Sequence, residues 1–170
     1  MMRLLGIGSM VGALALALSA CGDGDGGGGE DRSRIDRAEA DVQAAVDGVL
    51  HEIAAQAGLA FQAGNRFFVI CGESYAPGGI HVNNHLLFHG PAELPTRDAI
   101  EQAVQVLDAD GWRVKRPPQP EVFTATKGVV VLRLDFRGPV QIDADTECIQ
   151  TGGHVARETS KRPDAELRWK

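Results

Sequence analysis

The chain has 170 residues, with 17 Lys and Arg against 23 Asp and Glu for a formal net charge of −6. That length suits one domain around one core. The acidic balance speaks against nucleic acid, and against electrostatic docking on anionic lipid.

The first segment, MMRLLGIGSMVGALALALSAC, carries one charge, Arg3, ahead of an apolar run from Leu4 to Leu18. A positive start, about 7–15 apolar residues and a small-residue exit make a secretory signal rather than a membrane span, which needs about 20. The exit Leu18-Ser19-Ala20-Cys21 resembles the lipobox of bacterial lipoproteins. That resemblance implies a signal peptide over 1–20, cleavage before Cys21, and a diacylglyceryl anchor on its thiol that holds the protein to the extracytoplasmic side of the cell membrane. Cleavage removes Arg3 alone among the charges, taking the formal charge from −6 to −7. Two acyl chains bind firmly where one does not. Residues 21–33 then read as the lipidated Cys and a flexible Gly/Asp tether, since 22–33 hold no apolar residue. Its typical reach is about 20 Å.

Residues 34–152 read as a single α+β domain. Apolar residues recur at Ile35, Ala38, Val42, Ala45, Val46, Val49, Leu50, Ile53 and Ala57, the spacing of an amphipathic helix, with Gly58 as its stop. RFFVIC (66–71) is a β-branched and aromatic strand, GESYAPGG (72–79) a loop, and Ile80, Val82, Leu86 and Phe88 share one parity of a second strand. Thr96 opens a second helix faced by Ile100, Ala103, Val104 and Leu107, with Gly111 ending it and Trp112 folding back on its last turn. Trp112 and Val114 begin a short extended piece, EVFTAT and VVVLRLDF form a hairpin around Lys127-Gly128, and VQIDADTECI is the last strand. The order α-β-β-α-β-β-β predicts a two-layer sandwich, with two helices on one face of a mainly antiparallel sheet of about five strands. Residues 153–170 read as a charged, disordered tail.

Cys71 and Cys148 remain after Cys21 is acylated. In an oxidising extracytoplasmic space two cysteines of one small domain more often pair than stay as separate buried thiols, so a disulfide is expected. Cys148 shares parity with Val140 and Ile142 in this reading.

The layout resembles the LppA-type lipoproteins of mycobacteria and other actinobacteria. The likeness rests on the lipobox, the amphipathic helix, Cys71-Gly72 after the first strand, and Glu147-Cys148-Ile149 near a β-rich end. It implies a small, anchored envelope domain and brings no catalytic residues.

Three sets of side chains invite chemistry. His81, His85 and His89 would share a face of a strand, but about 13 Å apart in succession, too far for one ion with metal–nitrogen bonds near 2 Å. An envelope metal-binding protein using these three histidines is the alternative reading. Asp143, Asp145 and Glu147 alternate as in a calcium loop, but Cys148 stands where such a loop needs Gly, so a charged edge that deters strand pairing is expected. Asp108 and Asp110 read as solvated. No G-x-S-x-G or H-E-x-x-H occurs. The expectation is a non-enzymatic binding or interaction protein without cofactor, its envelope partner or ligand unidentified.

Overall fold

A computed structural model describes residues 27–90 and 95–169. Cys21, the signal segment and the first part of the expected tether lie outside the described residues.

The amphipathic stretch folds as a nearly continuous rod: helix α1 (Gly27–Ala45), a π-helical turn (Val46–Leu50) and helix α2 (His51–Ala57). All nine residues of the apolar stripe are buried. Gly58 ends the rod at φ 66°, a left-handed position that glycine adopts without penalty. The rod reaches back to Gly27, so residues 27–33 are helical where a flexible tether was expected.

Strand β1 (Ala60–Glu73) and strand β2 (Ala76–His89) form a long antiparallel hairpin. The expected loop over 72–79 is mostly strand: Glu73 pairs with Ala76 and Gly72 with Pro77, leaving Ser74 and Tyr75 at the tip. Gly72, at φ 88°, absorbs the bulge that follows Cys71.

Helix α3 (Thr96–Ala109) ends as its sequence indicates. Gly111 takes φ 78°, and Trp112 N–H returns to the Leu107 carbonyl at 2.9 Å. Strands β3 (Arg113–Lys115), β4 (Val122–Lys127), β5 (Val130–Asp135), β6 (Val140–Thr146) and β7 (Ile149–Gln150) follow. Helix α4 (Gly153–Thr159) and strand β8 (Ala165–Glu166) close the chain.

The strands make one antiparallel eight-stranded sheet in the order β3-β4-β5-β6-β2-β1-β8, with β7 paired to β2 off that path. The α+β class holds. The sheet has more strands than the five expected, and α4 joins the helices of the rod and α3. Burial alternates along the strands: Ile80, Val82, Leu86, Phe88, Leu132, Leu134, Ile142 and Ala144 are sealed on the helix-covered side. Their neighbours His81, Asn83, His85, Leu87, Asp143 and Asp145 are half-buried on the other, which no described helix covers.

Residues 153–169 are ordered, against the expectation of a disordered tail, because contacts from other elements hold them. The Gly152 N–H donates to Asp31 Oδ2 at 2.7 Å, tying the start of α4 to α1. Val155 packs with Ile35 and Ile80 in a small second core. Leu167 N–H bonds the Gly64 carbonyl at 2.9 Å. Trp169 stacks between His51 and Phe61, with ring centroids 3.7 and 5.0 Å away.

Candidate functional site

Two features gather groups capable of binding. The larger is a cleft of about 1030 Å³ between the rod on one side and the end of α3 with the β4–β5 turn on the other. The rod contributes small side chains, Ala44, Ala45 and Gly48, where its backbone widens into the π turn. Single π turns inside helices recur at functional positions because they displace side chains from their regular rows. The opposite wall brings Val106 and Ala109 from α3, Trp112 from just beyond it, and Val129 and Val130 from the hairpin.

Two glycine turns let those walls meet. Gly111 and Gly128 both hold positive φ, 78° and 59°, and they direct α3's exit and the hairpin tip toward each other. Lys127 Nζ then donates to the Asp110 carbonyl at 2.7 Å and to its carboxylate at 3.0 Å, while the Trp112 indole N–H donates to the same carboxylate at 2.9 Å. The Lys127 ammonium foremost, with the indole second, holds the Asp110 carboxyl below its usual range. Asp110 is exposed, as expected of a solvated residue, and also links the two turns of this wall. Asp41, Glu52 and Gln56 stand on the rod side and Gln105 on α3, so apolar side chains share the lining with polar and charged ones. Ligand pockets typically combine apolar walls with a few fixed polar groups, and this cleft has both.

No short motif announces the cleft, since its lining comes from 41–56, 105–112 and 127–130. The trace it leaves in the sequence is the run of small residues on one side of an otherwise bulky helix.

The second feature is on the uncovered face of the sheet. Cys71 and Cys148 form the expected disulfide, with Cα atoms 6.1 Å apart. Cys148 is not in the last long strand on the parity of Val140 and Ile142. It sits in the link between β6 and β7, beyond Thr146, which occupies the buried position instead. From there it passes over Gly79, where a Cβ would stand 3.0 Å from the Cys148 sulfur and would overlap the Ile149 carbonyl. Only glycine permits that approach.

β2 carries the three histidines, and each meets a different environment. His81 Nδ1–H donates to the Thr146 carbonyl at 2.9 Å, His85 Nδ1–H donates to Asp143 Oδ1 at 2.6 Å, and His89 ends the strand exposed. They do not converge on one point. Among the described residues, the group whose ligand atoms all lie within 4.8 Å of one another is Cys71, His81 and Cys148.

Asp143 and Asp145 are not on an edge, because β6 runs between β5 and β2. Asp145 faces Asn83 across the ladder, and its carboxyl is pushed up to about 6 by burial first and by the Asp143 carboxylate second, with His81 and His85 opposing. Glu147 lies past the strand end, exposed.

No protein-family model, curated protein or solved structure matches the chain.

Proposed function

We propose that this chain is a lipid-anchored, extracytoplasmic binding protein of the bacterial cell envelope, of the LppA-like kind, whose ligand occupies the cleft between the rod and α3. The cleft carries this reading. An open cleft of mixed lining with a braced wall can hold a small ligand, and the Asp110 carboxylate braces that wall by accepting from both Trp112 and Lys127. That arrangement suits binding rather than turnover. No described helix is long and apolar enough to cross a membrane. In this reading attachment falls to Cys21, supported by the Leu18-Ser19-Ala20-Cys21 exit and the apolar run before it.

Two experiments test it. Gly48 faces open space, with nothing within 4 Å of a Cβ placed there. Gly48→Phe therefore starts from open space and should place a ring in the cleft, and by replacing a helical glycine should not lower stability. A neutral apolar fluorophore should bind the parent chain and receive energy from Trp112, and the variant should lose this signal while keeping its melting temperature. Equal binding by both would remove the cleft from consideration. For the anchor, Cys21→Ser should release the protein from membranes or leave it unprocessed. An unmodified Cys21 in the mature protein would refute the attachment.

A further inference from the structure

We propose that Cys71, His81 and Cys148 form a thiol-gated site for a soft metal ion of the Zn²⁺ or Cu⁺ type, open when the disulfide is reduced and closed when it forms. Two sulfurs and one imidazole nitrogen already lie within 4.8 Å of one another. Donors around a tetrahedral ion, with bonds of about 2.3 Å to sulfur and 2.0–2.1 Å to nitrogen, stand roughly 3.5 Å apart, so only small movements separate the crosslinked arrangement from a coordinating one. Thiolate and imidazole are the donors that select such ions.

The ring keeps one nitrogen available for this. A carbonyl only accepts, so His81 Nδ1 carries the proton it gives to Thr146, and the lone pair of the neutral ring is on Nε2. Ligating histidines are commonly fixed by such a bond from their other nitrogen. Backbone pairing also holds the two cysteine segments near each other, independently of the S–S bond. Cys71 is held opposite Gly79 in the β1–β2 ladder, and the β7 pairs Gly79↔Gln150 and Ile80↔Ile149 keep the Cys148 segment against β2. All three side chains are half-buried, open enough for a reductant and an ion to reach.

The chemistry balances with a dithiol as reductant. The dithiol gives two electrons and two protons to the Cys71–Cys148 bond and becomes a disulfide itself. The two new thiols release their protons as the ion binds both sulfurs and His81. Three protein donors leave the fourth position of a tetrahedral ion to water. Crosslink and metal therefore exclude each other, and His85 and His89 take no part.

The test uses the full chain with Cys21→Ser, so that two thiols remain, reduced by a phosphine without oxygen and titrated with Zn²⁺ against a chromophoric chelator. One Zn²⁺ per chain is expected, at least roughly tenfold tighter than in the oxidised protein and weakened at least roughly tenfold by His81→Ala, with His85→Ala unchanged. Co²⁺ should show thiolate charge-transfer absorption in the reduced chain. Should reduction unfold the chain, Zn²⁺ must restore its circular dichroism, and must fail to do so in His81→Ala. Equal affinity in the oxidised and reduced chains, full affinity in His81→Ala, or no rescue of an unfolded reduced chain would each overturn the site.

Discussion

The two faces of the sheet are built from the same strands and differ in almost everything else. On β2, Ile80, Val82, Leu86 and Phe88 are fully sealed beneath the helices, while His81, Asn83, His85 and Leu87 alternate with them in partial contact with water. Apolar burial at about 25 cal/mol per Å² operates on the first side. On the second, titratable groups sit close together and a covalent bond supplies the tie that packing does not. Stability resides on the covered face, which leaves the open face free to carry groups that a core would not tolerate.

Breaking the tie should have the largest effect. The crosslink spans 77 residues, and in the chain-entropy model closing such a loop stabilises by about 4.5 kcal/mol, an upper guide because strain subtracts from it. Cys148→Ser, or reduction without metal, should lower the thermal midpoint by many degrees in calorimetry. A loss of a degree or two would mean that the open side is held by something other than the bond.

A neighbouring pair on β2 compares the faces directly. Phe88→Ala should cost about 3–5 kcal/mol in chemical denaturation, whereas Leu87→Ala, one residue away on the open face, should cost less than about 1 kcal/mol. Similar costs for both would indicate that the open face is covered in solution.

The C-terminal segment gives an intermediate effect. Trp169→Ala removes three ring contacts, with His51, Phe61 and Phe88, and should cost about 1–3 kcal/mol. In limited proteolysis the parent chain should resist cleavage over 153–169 and the variant should not. Rapid trimming of the parent would contradict the ordered end.

Asp145 should give the smallest and most pH-dependent change. Its folded-state value, about 6, lies above the usual 3.8, so ionising it disfavours the fold. The stability it contributes is complete below about pH 4 and is lost as pH rises through 6. Asp145→Asn should therefore raise the midpoint at pH 7, by roughly 1 kcal/mol once screening at this partly open site is allowed for, and should change little at pH 4. Stabilisation that is equal at both pH values would assign the gain to something other than charge.

What was legible in the sequence follows from where the forces are local. The rod's stripe and the alternation of Ile80, Val82, Leu86 and Phe88 repeat often enough to be read, and Gly111 and Gly128 mark their turns by backbone chemistry alone. The π turn left a hint in the doubled apolar positions Ala45-Val46 and Val49-Leu50, which a wider turn can bury together. The end of the chain could not be read this way. α4 has seven residues with Val155 and Ala156 as its buried apolar pair, and β8 has two. Their order comes from Asp31, Gly64 and His51, more than a hundred residues or an entire sheet away. Asp143 and Asp145 of β6 lie inside the sheet and not at its edge, and strand composition does not encode strand order. The cleft joins three distant segments, and only the disulfide among the long-range features was available from residue type and compartment.

The early start of α1 has a mechanical consequence for an anchored protein. With lipid on Cys21, six residue steps separate the membrane attachment from Gly27, a span of at most about 22 Å. From Gly27 the rod advances about 1.5 Å per residue, so the first residue of the cleft, Asp41, stands about 21 Å further along it. Were the anchor on Cys21, the helix would act as a stiff boom that holds the near end of the cleft, at Asp41, no further than about 43 Å from the attachment point. A cleft tethered in that way would meet ligands that reside at, or are delivered to, the membrane surface.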